Sequence, residues 1–263
     1  MQPTLAQVEG WARQAGEILR QHFRGSLKVR HKSLIDLVTE ADGLSEDYLL
    51  GQIRAAFPDD TIFSEEIGQV AGSSQRVWYV DPLDGTVNYA HGIPLYTVSI
   101  AFAEAGQLRQ GVIYDPSHDE CFSAELGKGA WLNGTERLQV TNPPDLDHSL
   151  LITGFPYHIR QRPGRIFPLF EYFAMHSQGV RRLGSAAMDL CYVAAGRFDG
   201  YWELSIMPHD VAAGALIAAE AGAKVTTVEG NPLPLTPPLS ILAAPPHIHQ
   251  QMLEGLRSVP DVK

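Results

Sequence analysis

Apolar positions follow two spacings along this chain, and the switch between them predicts its organisation. Leu5, Val8, Ala12, Ala15, Ile18, Leu19 and Phe23 recur at helical spacing, and Gly25 is a stop signal. A second helix is predicted over 37–57, where Leu44, Tyr48, Leu49, Ile53 and Phe57 form an apolar stripe before Pro58. The spacing then shortens. Residues 61–63 read as a strand, and Val-Trp-Tyr-Val at 77–80 is a continuous apolar run of the kind found in a buried strand. Three strands follow at 97–104, 108–114 and 120–125, joined by turns at 105–107 and 115–119. That meander makes part of the sheet antiparallel.

The second half alternates. Strands are predicted at 149–153, 179–183, 198–203, 224–228 and 240–244, and helices at 163–176, 185–195, 210–221 and 245–256. The proline-rich stretch 231–238 reads as a loop. Alternation after a meander and two helices predicts layers of helix and sheet.

Composition narrows the class. The 263 residues carry 20 basic and 30 acidic side chains, a net charge of −10, which argues against binding nucleic acid by phosphate neutralisation. A hydrophobic share of 44% against 19% charged reads as globular. This length fits one large domain or two halves sharing a core. Cys121 and Cys191 are far apart and form no CxxC, which excludes a disulfide scaffold and a thiolate zinc site. The first residues lack a basic and apolar leader, and no stretch is apolar for long enough to span a membrane. The expectation is a soluble cytoplasmic protein with no membrane partner.

Candidate chemistry centres on Asp81-Pro82-Leu83-Asp84-Gly85-Thr86, directly after the run at 77–80. Strand ends are where layered α/β folds place ligands. Two carboxylates three residues apart in a turn can face one small volume, where each resists ionising until a cation joins them. Gly85 permits close backbone approach, and a short helix after it would aim free amides at an anion. The plainer reading is an acidic turn with Asp84 as an N-cap. Ser64-Glu65-Glu66 has the plain reading of a capped first turn, Asp210 that of an N-cap, and Asp36 and Asp42 those of a cap and a solvated face. Together they set acids at strand ends and helix starts with no histidine triad nearby. An oxygen-only set suits Mg²⁺, Mn²⁺ or Ca²⁺, and paired ions of this kind support phosphoryl transfer to water.

Other motifs fail. No GxxxxGK[ST] or GxGxxG is present, and Gly127-Lys128-Gly129 is the nearest fragment. Gly184-Ser185-Ala186-Ala187 is not a nucleophile elbow. His118 and Cys121 are two ligand types without a site. His247 and His249 are expected on the surface, and Lys32 in a solvated loop with Lys28, Arg30 and His31.

The order Asp-Leu-Val-Thr-Glu-Ala-Asp (36–42), Ser-Glu-Glu (64–66), Asp-Pro-Leu-Asp-Gly-Thr (81–86), Gly-Ser-Ala-Ala (184–187) and Asp-Val-Ala-Ala-Gly (210–214) resembles the inositol monophosphatase family. The resemblance runs from about residue 5 to about residue 245. It implies a layered αβαβα sandwich, the sugar-phosphatase fold, with mixed, partly antiparallel sheets. The chain is then one unit over 1–263, with the metal and phosphate site in 1–148 and the substrate side and last metal aspartate in 149–263. It also implies a homodimer and an often lithium-sensitive phosphatase with two or three Mg²⁺ ions, for which Mn²⁺ can substitute. Carried over, Glu65, Asp81, the Leu83 carbonyl, Asp84 and Asp210 are the metal ligands. Glu65 and Thr86 position and activate water, and the amides of Gly85 and Thr86 cradle phosphate. Asp84, Ser185, Ala186, Glu203 and Asp210 contact substrate, with Asp42 and Glu66 in support.

One position departs from the family. His209 stands where a Trp usually precedes the last metal aspartate, and we expect it to pack beside the site without being a ligand. The implied reaction is Mg²⁺-dependent hydrolysis of a small phosphate monoester of a polyol or similar alcohol, first myo-inositol 1-phosphate. Histidinol phosphate, fructose 1,6-bisphosphate and 3′-phosphoadenosine 5′-phosphate are the alternative substrates. A non-catalytic role in a transcription complex is the alternative of a different class.

Overall fold

The computed structural model describes residues 2–25, 29–31, 37–156, 158–237 and 239–260. Five layers stack in the order helix, sheet, helix, sheet, helix. The first layer is α1 (Leu5–His22) and α2 (Glu40–Ala56). Between them in sequence, β1 (Val29–His31) and β2 (Leu37–Thr39) pair as an antiparallel ribbon. The predicted helix over 37–57 therefore begins as a strand. Thr39 takes extended backbone at the N-cap, and Asp42 closes a capping box on it. Leu44 is 41% exposed, so the predicted stripe is turned. The buried face of α2 carries Asp42, Ser45, Glu46, Leu49, Leu50 and Ile53. Lys28, Lys32 and Asp36 lie outside the described residues.

The first sheet holds β3 (Thr61–Ser64), β4 (Gly68–Val70), β5 (Arg76–Asp84), β6 (Thr97–Glu104), β7 (Gln107–Asp115), β8 (Glu120–Glu125), β9 (Ala130–Leu132) and β10 (Glu136–Arg137). Its strand order is β10-β9-β8-β7-β6-β5-β3-β4. Only β3 and β5 run parallel, and the predicted meander is β6-β7-β8. Strands β4, β9 and β10 span two or three residues each, too few for a legible period. Trp78 of β5 is fully buried among Trp11, Phe57 and Phe102, with its indole N–H donating to Asp60 Oδ2 at 3.0 Å. That cluster fastens the first helical layer to the sheet.

The second sheet holds β11 (Leu150–Thr153), β12 (Gly179–Arg181), β13 (Gly200–Ile206), β14 (Lys224–Thr226) and β15 (Leu239–Ala244), in the order β12-β11-β13-β15-β14. The short α3 (Thr86–Ala90) follows β5. Helices α5 (Ala186–Ala194) and α6 (Pro208–Glu220) lie between the sheets, and α4 (Ile166–Met175) and α7 (Pro246–Ser258) cover the far face. Small side chains bring the middle layer close. Ala212, Ala213 and Ala218 of α6 are fully buried. A Cβ on Gly111 of β7 would lie 2.7 Å from the Ala213 carbonyl oxygen.

Because backbone is the obstacle there, Gly111→Ala should destabilise the protein by about 1–3 kcal/mol. Chemical denaturation checks this, and an unchanged midpoint would show that α6 does not depend on that approach. The surface expectation for His249 is wrong. The residue is fully buried on α7, and its Nε2 shares a 2.8 Å hydrogen bond with Thr226 Oγ1. Burial, with nearby Lys224, pulls the imidazole down to about 4. His247 is partly buried against the Pro143 carbonyl.

Candidate functional site

A cavity of about 560 Å³ opens where the end of β3, the end of β5 and the starts of α5 and α6 converge. Its wall includes Glu65, Glu66, Asp84, Ser185, Ala186, Glu203 and Asp210, all marked in the sequence. Asp42, Asp81, Leu83 and Thr86 are buried, and are not part of that wall.

The strand β5 runs further than predicted and contains the Asp-Pro-Leu-Asp segment. Its register against β6 slips between Asp81 and Asp84, around Pro82, which has no amide hydrogen for the ladder. The Pro82 carbonyl accepts from Ser45 Oγ of α2 at 2.9 Å. Leu83 N–H donates to Asp81 Oδ1 at 3.0 Å. Gly85 then turns the chain at φ +93° and caps α3, so Asp84 is not the N-cap. A Cβ at Gly85 would lie 2.8 Å from the Leu95 carbonyl oxygen, so both conformation and space demand glycine.

Hydrogen bonds join the two sheets at this point. Asp84 Oδ2 accepts from Ser185 Oγ and from the Ala187 amide, both at 2.7 Å. Ser185 also caps α5. Thr86 Oγ1 lies 3.0 Å from the Leu83 carbonyl oxygen and 3.3 Å from Asp42 Oδ1. Asp42 is anchored in turn by the Thr39 amide at 2.8 Å and by the Thr39 hydroxyl. Asp210 sits at the third position of α6, where its Oδ2 accepts from the Met207 amide at 3.0 Å. His209 lines the cavity with Nε2 3.4 Å from Asp210 Oδ1.

Electrostatics mark the acids as a group. Burial holds Asp81 well above the usual carboxylate range, reinforced by Glu65, Asp84 and Asp210. Asp84 is pushed up to about 7 by burial and then by Asp210, while Ser185 and the α5 amides pull it down. Burial raises Asp42 to about 6 against its bonds to Thr39, with Glu66 adding to the rise. Glu203 reaches about 8 through burial, opposed by a 2.7 Å bond from the Tyr201 hydroxyl.

Cation chemistry fits this set. Among the described residues, no three His, Cys, Asp or Glu side chains are gathered into a ready ion cage. Mg²⁺ rarely needs one, because it keeps water and shares few carboxylates with substrate phosphate. The donors are oxygens, and a divalent charge among them would offset the burial and the neighbouring acids that raise Asp81 and Asp84.

A pH dependence follows. In the folded chain Asp84 and Glu203 hold their protons to about 7 and about 8, whereas unfolded they ionise near ~4. From about pH 6.5 to 8 the folded state binds more protons, so metal-free stability should fall as pH rises. His249 changes stability only at lower pH, because its unfolded value is about 6.5. Added Mg²⁺ should raise the melting temperature more at about pH 8 than at about pH 6.5, since its ligands must be deprotonated. Thermal unfolding at both values checks this, and a metal-free midpoint that rises with pH contradicts it.

Several contributors were not read from the sequence. Glu46 is buried on α2, and its Oε1 accepts from Ser64 Oγ and, at 3.2 Å, from the Ile67 amide, which fixes the segment carrying Glu65 and Glu66. An acid three residues before Leu49 on the buried face was the available signal. Asp189, Arg182 and His158 also line the cavity. Asp189 interrupts an otherwise apolar helix, which was a second signal. The Gly127-Lys128-Gly129 fragment is accounted for internally, because its Gly127 and Gly129 amides donate to Glu220 at 2.7 and 2.8 Å.

A profile of the inositol monophosphatase family matches residues 1–261. Among curated proteins, the Nus factor SuhB of Pasteurella multocida is 40% identical over 260 residues, 98% of this chain and 97% of that protein. The inositol-1-monophosphatase of Caulobacter vibrioides is 39% identical over 253 residues, 95% and 96% of the two chains. A solved inositol monophosphatase from Anabaena (Nostoc) sp. PCC 7120 superposes with a TM-score of 0.88 at 40% identity, covering 97% of this chain and 96% of its own.

Proposed function

Since this chain belongs to the inositol monophosphatase family, we propose that it hydrolyses a small phosphate monoester with Mg²⁺, and that myo-inositol 1-phosphate is the leading substrate. The observation that carries this reading is a group of mutually repelling acids, with Glu65, Asp84 and Asp210 on one cavity wall and Asp81 buried beside them.

In this reading Glu65, Asp81, Asp84, Asp210 and the Leu83 carbonyl hold the metal. Bound Mg²⁺ neutralises phosphate charge and lowers the pKa of water. Glu65 takes the proton of the attacking water, and the Thr86 hydroxyl orients that water. The Gly85 and Thr86 amides hold the phosphate oxygens. Asp84 and Asp210 lie on the side where the alcohol departs, and Ser185, Ala186 and Glu203 face the alcohol itself. Asp42 and Glu66 steady Thr86 and Glu65.

Phosphate release from myo-inositol 1-phosphate, histidinol phosphate, fructose 1,6-bisphosphate and 3′-phosphoadenosine 5′-phosphate tests the assignment, with Mg²⁺ varied and lithium added. Mg²⁺-dependent preference for the inositol ester is the expected result. Preference for another ester would move the substrate, and no release from any would remove the activity.

A second reading draws on relatives named Nus factor, such as those of Pasteurella multocida and Pseudomonas aeruginosa. The protein would then also act as a partner in a transcription complex, through a surface independent of the acids. Capture of transcription proteins by both wild type and Asp84→Asn would support that role. Capture by neither would remove it.

A further inference from the structure

The parallel ladder between β3 and β5 ends at Ser64 and Val80, with one further bond from the Glu65 amide to the Val80 carbonyl at 3.2 Å. Both chains leave regular pairing there. Strand β3 turns back into β4 through the hairpin tip Glu65-Glu66-Ile67, closed by Gly68 at φ +73°. Strand β5 enters its bulge between Asp81 and Asp84. Acids assigned to the metal therefore stand on two carriers, beyond the ladder that joins them. Like charges on the two carriers push them apart until a cation lies between them. The tip is poorly placed to resist this, because β4 is the edge of the sheet and Ile67 is 47% exposed.

Helix α2 reaches both carriers with adjacent side chains. Glu46 and Ser64 are each 3% exposed. Glu46 Oε1 accepts from Ser64 Oγ, just before the two acids, and from the Ile67 amide, just after them. One oxygen thus clamps both ends of the Glu65-Glu66 pair. Ser45 Oγ donates to the Pro82 carbonyl at 2.9 Å, inside the bulge. Neighbouring residues of one helix keep a fixed separation, so α2 spans the tip and the bulge as a rigid piece. The reaction scheme gives neither residue a task. Burying a carboxylate is costly, and an apolar side chain would fill the same space, so packing alone does not explain an acid at 46.

We propose that Glu46, together with Ser45, is a positioning residue that sets the distance between the Glu65-Glu66 tip and the Asp81-to-Asp84 bulge, and through it the affinity of the site for a divalent cation. Glu46 is not in the cavity wall, so it acts through Ser64 and Ile67 and not by contact with the ion. The spacer rests on the metal reading above and adds a residue to it.

The test is the Kd for Mn²⁺ alone, read from the paramagnetic resonance signal of the free ion. Glu46→Ala should raise that Kd about ten-fold or more, the range for losing a group that orients metal ligands. Ser64→Ala removes one bond of the clamp and should raise it about three-fold, but add nothing in the Glu46→Ala background, because the hydroxyl acts through the carboxylate. Glu46→Gln keeps an acceptor oxygen of the same reach and should stay within about two-fold of wild type. The Mg²⁺ concentration for half-maximal phosphate release should follow the same order. If Glu46→Ala does not fold, Ser64→Ala decides, since it leaves α2 and the Ile67 bond in place.

A merely structural role lowers the melting temperature and leaves the Kd of the folded protein unchanged. That outcome, or a loss in Glu46→Gln as large as in Glu46→Ala, overturns the spacer while the phosphatase reading stands. Weaker Mn²⁺ binding in Glu46→Ala, with no phosphate released by wild type from any ester, supports the spacer and removes the phosphatase reading. A wild type that binds no Mn²⁺ removes both.

Discussion

Asp84→Asn should lower kcat/KM for Mg²⁺-dependent phosphate release by about 10³-fold, equivalent to about 4 kcal/mol of lost transition-state stabilisation. The size follows from the two tasks given to one carboxylate. In the proposed reaction it supplies negative charge to the metal and lies where the alcohol leaves. In the fold its Oδ2 gathers Ser185 Oγ and the Ala187 amide, which ties β5 to the start of α5. An Asn oxygen can keep those two bonds while the charge is gone. The acid is buried and repelled by Asp210, so a neutral amide removes an unfavourable interaction from the metal-free protein. The melting temperature without metal should therefore be equal to or above that of wild type, and the gain on adding Mg²⁺ should shrink. Paired kinetics and thermal unfolding check both halves. Near-wild-type turnover would remove Asp84 from the reaction, and a large drop in metal-free stability would make its role structural.

Glu65→Gln should lower kcat by about 10²–10⁴-fold, the range for loss of a positioned general base. The residue follows β3, and its amide donates to the Val80 carbonyl at 3.2 Å, so the backbone that carries it is locked to β5. Glutamine has the same shape and cannot take a proton. KM should change much less than kcat, because the interaction is made in the transition state. Near-wild-type kcat in Glu65→Gln would assign the base to another group. Loss in KM alone would make Glu65 a binding residue.

Legibility differed between backbone and side chains. The strand run at 77–80 and the acids after it were readable because a buried strand leaves a continuous apolar signature. The bulge at Pro82 was less so, since turn and irregular strand share the same residues. The start of α2 was misread because Leu37 to Thr39 fits either period over three residues, and ribbon pairing with β1 decides it. Glu46 and Asp189 escaped for a common reason. Each occupies a buried helical face, and only tertiary packing shows what it meets. His249 was placed outside by its polarity, whereas its bond to Thr226 lets it be buried on α7. The resemblance marked acids that the structure holds at one cavity, but Asp81 and Thr86 are buried and absent from its wall.

The most direct measurement is the rate of phosphate release from myo-inositol 1-phosphate as Mg²⁺ is titrated from zero, for wild type and Asp84→Asn side by side. The account predicts no release without metal, saturable release from wild type, and a rate near background for the variant at every Mg²⁺ concentration. Release that is independent of Mg²⁺, or equal in the two proteins, would contradict it.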